Sequence, residues 1–188
     1  MAHRIKEKQL QASGKWIALE EITYTDATGT ERKWESVMRT KTSGAVAVIA
    51  EKLPSRKIIL IRQFRPPAEN YVIEFPAGLI DEGETASETA RREMREETGF
   101  ICSITDVFSP SFSSPGLTGE SVVIVKGIID ESIPENSFPQ TDFDDGEDIE
   151  TFEVPIKKIG TFIRERIKSG DKIDSKVMAF LLGLETSV

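Results

Sequence analysis

The chain of 188 residues has a single cysteine (Cys102), a single histidine (His3) and two tryptophans. A lone cysteine closes no disulfide within the chain, so a reducing, cytoplasmic setting is the expected one. No apolar run nears the ~20 residues of a membrane-spanning helix. The opening "MAHRIKEKQL" has no apolar centre and is not read as a secretory leader. Basic residues are also in short supply. Lys and Arg number 24 against 32 Asp and Glu, for a net charge of −8. That balance argues against a general nucleic-acid or membrane-surface binder, which needs a basic patch. It leaves room for a small anionic ligand, because a bound metal ion reverses the field of an acidic site. Neither His3 nor Cys102 is given a catalytic role.

What is present suits one domain with a small extension: 38% of residues are hydrophobic and 30% charged. A chain of this length buries roughly 70% of its unfolded surface, enough for a core without staples. "GKWIALEEITYTDATGTERKWESVMRT" reads as two strands joined by a turn at Asp26 to Gly29. The β-branched runs "GAVAVIAE" and "RKIILIRQF" read as core strands, and "VIEFPAG", "ICSITDVFS", "ESVVIVKGIID" and "IETFEV" as further ones. Thr85 to Glu88 fits a capping box, so a helix is expected from about Ala86 to Glu97. "IKKIGTFIRERIKSG" and "DSKVMAFLLGLE" read as amphipathic helices. "PSFSSPGLTG" is a loop, and "ESIPENSFPQTDFDDGED" is a loop long enough to be functional or mobile. The expected class is α/β. A boundary near Lys41 to Gly44 divides an N-terminal β-hairpin (1–43) from the main body (44–188).

The helix over "ASETARREMREETG" contradicts itself. Carboxylates near a helix C-terminus oppose the backbone dipole, at a cost of about 0.3–1 kcal/mol each when exposed. Yet Glu93, Glu96 and Glu97 crowd that end. On a wheel of about 100° per residue, Ala86, Ala90 and Met94 form the apolar stripe. Glu93 and Glu97 fall on that stripe and Glu96 at its border. Arg92 lies one turn before Glu96, within ion-pair reach. Inward carboxylates need a partner, a proton or a metal. Oxygen ligands of this kind suit Mg²⁺ or Mn²⁺. A solvated acidic face with incidental ion pairs is the competing reading.

The surrounding residues complete a pattern. Gly78 is followed after five residues by Glu84, and after seven more by Arg92-Glu93-Met94. Glu96-Glu97 and Gly99-Phe100 then follow, each after one residue. This resembles the Nudix box at every position. "GKW", "KWESVMRT", "QFRPP", "IEFPAGLID" and "SPGLTGE" are similar to the ADP-ribose (ADP-sugar) pyrophosphatase branch of that family. So is Pro115, sixteen residues beyond Gly99.

The resemblance implies a mixed β-sheet sandwiched between helices, with the N-terminal hairpin exchanged in a homodimer. It implies metal-dependent hydrolysis of ADP-ribose to AMP and ribose 5-phosphate, with two or more Mg²⁺ (or Mn²⁺) ions per site. A GDP-sugar substrate and a non-catalytic ADP-ribose sensor are the alternatives; neither nucleic acid nor membrane is an expected partner. Metal ligands would be the Ala77 carbonyl, Glu93, Glu96, Glu97 and Glu147. Glu96, Glu147 and Arg92 would be the catalytic residues, with Asp145 and Glu120 as other candidates for the base. Glu84 would support the metal loop, and Gly78 and Gly99 would permit turns. Trp16 and Trp34 would stack on the adenine, with Glu35 accepting from its amino group. Arg39 and Arg65 would clamp the diphosphate, as guanidinium forks do. Leu79, Ser114 and Leu117 would complete the substrate site.

Overall fold

The first forty residues form three strands where the sequence pattern suggests two. In this computed structural model, which describes residues 2–42, 44–143, 146 and 148–185, β1 (Arg4–Ser13) precedes the expected hairpin. It pairs antiparallel with β2 (Ile17–Thr25), which pairs with β3 (Glu31–Arg39). Every residue of β1 is exposed. A strand with no buried face has no reason to alternate apolar with polar residues, so the period-2 signal is missing. Lys6–Glu31 (2.8 Å) and Lys8–Glu20 (3.3 Å) add ion pairs to its backbone ladder. The turn from β2 to β3 is made by Asp26, whose Oδ1 accepts the backbone N–H groups of Thr28 (2.9 Å) and Thr30 (3.0 Å).

The main sheet is built from β4 (Gly44–Leu53), β5 (Lys57–Arg65), β6 (Asn70–Glu74), β7 (Ala77–Leu79), β8 (Ser103–Val107), β9 (Ser111–Phe112), β10 (Ser121–Asp130), β11 (Ile149–Pro155) and β12 (Lys172–Ile173). Its main path runs β12-β6-β5-β4-β10-β8. β4 and β10 are parallel over their whole length. β4 and β5 pair only next to their connecting turn, at Glu51↔Ile58 and Lys52↔Lys57. Beyond it they diverge. β7 takes the free edge of β4 at Ala45 to Ala47, and β11 and β6 flank β5. This divergence opens the sheet where the candidate site lies.

Helix α1 (Ala86–Thr98) covers one face; α2 (Ile159–Lys168) and α3 (Ser175–Glu185) cover the other. Alternation along β5 serves both. Ile59 joins Ala90, Met94 and Phe100 under α1, while Ile58 and Leu60 join Ile163, Val177 and Leu181 under α2 and α3. Burying an Ile, Leu, Val, Phe or Met side chain of this kind contributes about 1.5–3 kcal/mol.

Candidate active site

Helix α1 starts with the capping box expected from its sequence. The Glu88 backbone N–H donates to Thr85 Oγ1 (3.3 Å), and the Thr85 N–H donates to Glu88 Oε2 (2.8 Å). It stops at Gly99, whose φ of 72° is left-handed. A Cβ there would stand 2.4 Å from the backbone nitrogen of Gln140, so only glycine fits. The chain beyond Gln140 closes over the helix end, with the Asp142 N–H donating to the Glu96 carbonyl at 3.0 Å. The long loop is thus anchored rather than loose at this point. Its short helical turn (Pro134–Ser137) carries the buried Asn136, whose side chain bonds both the N–H (2.8 Å) and the carbonyl (3.1 Å) of Ile101.

The wheel placement matches what is found. Glu97 is only 2% exposed, and its Oε2 accepts the Ala77 backbone N–H at 3.0 Å. That bond ties the helix to β7. Glu93 packs over Gly78, where a Cβ would fall 1.7 Å from Glu93 Oε1. The missing side chain at 78 is what gives Glu93 its place.

Arg92 is the hub of the acids. Its Nε and Nη2 fork onto Glu84 Oε1 and Oε2 at 3.0 Å each. Its Nη1 reaches Glu93 (2.8 Å) and Glu96 (3.0 Å), and Nη2 also donates to the Leu79 carbonyl (3.2 Å). Arg92 is held more firmly protonated than an ordinary arginine, chiefly by the Glu84 bond. The same bond, followed by the Thr89 hydroxyl, pulls the Glu84 carboxyl down to about 2.

Arg92, Glu93 and Glu96 line one cleft of about 500 Å³, whereas Glu84 and Glu97 stand behind its lining. Arg39, Arg65, Ala77, Gly78, Leu79, Arg92, Glu93 and Glu96 all border it. Arg39 is ion-paired through Nε to Glu120, and Arg65 through Nε to Glu74 at 2.7 Å. Glu74, Asp81 and Lys176 also line the cleft, outside the residues to which the sequence motifs point. Glu74 has a visible signal, a lone acid in the apolar run "YVIEFP" just before Ala77 and Gly78. Lys176 has none, since it arrives from the last helix.

The aromatic and loop residues sit elsewhere. Trp16, Trp34, Glu35, Ser114 and Leu117 are outside the cleft lining and largely exposed. Trp34 Nε1 donates to the Gly116 carbonyl (3.1 Å), and the Val37 N–H to that of Leu117 (2.9 Å), so β3 docks on this loop. Lys15 Nζ lies 4.5 Å from the Trp16 ring centroid. Glu35 stands opposite Glu21 on β2. Asp145 and Glu147 lie outside the described residues.

No three or more Asp, Glu, His or Cys side chains among the described residues converge as a finished metal cage. Glu93 and Glu96 turn to Arg92, and Glu97 to Ala77. The donor set nevertheless fits a hard divalent ion: clustered carboxylate oxygens beside backbone carbonyls, over a glycine that leaves them room.

Comparison with known proteins decides the family. The NUDIX domain model matches residues 38–174. The chain belongs to the Nudix family. It is 38% identical over 179 residues to an ADP-ribose pyrophosphatase of Saccharomyces cerevisiae, covering 90% of this chain and 77% of that one. It is 34% identical over 191 residues to an ADP-sugar pyrophosphatase of Mus musculus, covering 97% and 88%. A solved ADP compounds hydrolase shares the fold with a TM-score of 0.65 at 22% identity, over 87% of this chain and 84% of that one. The Nudix box runs from Gly78 in β7 through the Glu84 loop and α1 to Phe100, and the matched region begins at the end of β3.

Proposed function

We propose that this Nudix protein hydrolyses the diphosphate of ADP-ribose, and of related ADP-sugars, to AMP and ribose 5-phosphate, using Mg²⁺ or Mn²⁺. The observation that carries this reading is the cleft: the carboxylate face of α1 shares it with the guanidinium groups of Arg39 and Arg65. The relatives named ADP-ribose and ADP-sugar pyrophosphatase support the choice of nucleotide.

Glu93, Glu96, Glu97 and the Ala77 carbonyl would hold the metal. Bound there, a divalent ion offsets diphosphate charge and makes a water more acidic. The chain's own residues do the rest. Arg39 and Arg65 each use Nε for a carboxylate, which leaves their outer Nη groups to grip phosphate oxygens. Arg92 holds Glu93 and Glu96 at fixed positions on one side of the cleft. Glu96 orients the attacking water. That water adds its oxygen to one phosphorus as the P–O bond to the other phosphate breaks, and a carboxylate takes its proton. Glu147, Asp145 and Glu120 are the candidates for this base. Glu120 already serves as the counter-ion of Arg39.

Trp16 and Trp34 are 60% and 49% exposed. Exposed indoles on a sheet that extends from the main body suit an adenine sandwiched between two subunits. On this ground we propose a homodimer; the lone cysteine suits a reducing, cytoplasmic setting. The test is chromatography of the products from ADP-ribose with and without Mg²⁺. AMP and ribose 5-phosphate are expected only with the metal. Faster release of GMP from a GDP-sugar would move the specificity, and binding without turnover would make the chain a sensor.

A further inference from the structure

On one wall of the cleft, only Arg65 has a part in the scheme above. That wall also carries Glu74, at the end of β6, and Lys176, in the first turn of α3. The sheet order sets this wall apart from Arg39. Arg39 pairs with Glu120 beside the start of β10, whereas Glu74 belongs to β6, with β4 and β5 between. Lys176 is held in place from two directions. The Asp174 N–H donates to the Ile73 carbonyl at 3.0 Å, which fixes the start of α3 against the neighbour of Glu74. Asp174 Oδ1 then accepts the Lys176 N–H and Oδ2 accepts its Nζ, both at 2.9 Å. Arg65 completes the group through its 2.7 Å bond to Glu74.

Two cations are thus each paired with a carboxylate, Arg65 with Glu74 and Lys176 with Asp174, and the four charges cancel. Each carboxylate restrains one cation without using all its donors: an ammonium has three N–H groups and a guanidinium five. An anionic ligand entering between them meets preset donors rather than an unpaired charge. Burial, with Asp174 adding to it, pushes the Glu74 carboxyl up, against the pull of Arg65.

We infer that Lys176 is a substrate-binding residue, which together with Arg65 grips a phosphate of the diphosphate from the wall facing Arg39. The inference rests on the diphosphate reading above. It also gives the last helix a part in the site.

The test measures binding without turnover. Two probes are titrated calorimetrically in Mg²⁺: inorganic pyrophosphate, and ADP-ribose with a methylene bridge in place of the anhydride oxygen. Wild type is compared with Lys176→Met and Lys176→Arg. Lys176 belongs to neither hydrophobic cluster of the core, so both changes are expected to leave the fold intact. Loss of a charge-assisted bond is expected to weaken both probes about tenfold in Lys176→Met, with Lys176→Arg within about threefold of wild type. Unchanged pyrophosphate binding in Lys176→Met would overturn the assignment, as would equal weakening in both variants. Pyrophosphate binding that needs Lys176, without affinity for the ADP-ribose analogue, would leave Lys176 in place and reject the nucleotide.

Discussion

Glu93 occupies the space that a side chain at Gly78 would take, for a Cβ on residue 78 would stand 1.7 Å from Oε1 and 2.0 Å from Cδ of Glu93. The glycine and the acid come from opposite sides of the Glu84 loop and meet only in the fold. Gly78→Ala is therefore expected to displace the Glu93 carboxylate while β7 keeps its pairing to β4. A displacement of this order costs about 100-fold in turnover. The check is kcat on ADP-ribose beside a circular dichroism spectrum. Wild-type kcat in the alanine variant would show that the Glu93 position is not needed.

Glu84 carries a pH signature. Its carboxyl is held at about 2 in the folded chain, first by Arg92 and then by Thr89, against an ordinary 4.5. A depressed folded pKa contributes stability above the unfolded value and loses it as pH falls through the folded one. The Tm difference between wild type and Glu84→Gln should thus be constant above pH ~5 and shrink between about 4.5 and 2. A difference that stays the same down to pH 3 would contradict the Arg92 fork.

Gly127 and Cys102 should behave as a coupled pair. A Cβ on Gly127 would lie 2.3 Å from Cys102 Sγ, and the thiol is 5% exposed. Gly127→Ala should cost about 1–3 kcal/mol by overpacking. Cys102→Ala in the same chain should recover part of it, seen as a favourable coupling in denaturant titrations. Additive losses would mean that the strand moves instead. Burial pushes the Cys102 thiol up to about 11, so at pH 8 it should resist alkylation until the chain unfolds.

Trp16→Ala and Trp34→Ala should raise KM for ADP-ribose roughly tenfold with a smaller change in kcat, since base stacking is binding energy. Sedimentation should report a dimer. An unchanged KM would remove the indoles from the site, and an active monomer would remove the partner subunit.

The parts legible in the sequence are those fixed by local spacing. The limits of α1, its capping box, the inward turn of Glu97 and the Arg92–Glu96 pair all follow from residues within one or two helical turns. What stayed hidden depends on distant contacts or on exposure. β1 carries no alternation because neither face is buried. Asn136 reads as loop, yet it bonds the edge of Ile101 and pins the segment that closes over the end of α1. Lys176 enters the cleft only because Asp174 is tied to Ile73. The cleft itself arises from the parting of β4 and β5, which no single segment announces.

The most direct measurement is AMP release from ADP-ribose in Mg²⁺ by wild type and by Glu97→Gln. Glutamine keeps an acceptor for the Ala77 N–H and removes the charge that the proposed metal site needs. The wild type should release AMP, and the variant should remain folded and lose most of its turnover, by about 100-fold or more. A folded Glu97→Gln enzyme with wild-type kcat would contradict the metal role of this helix.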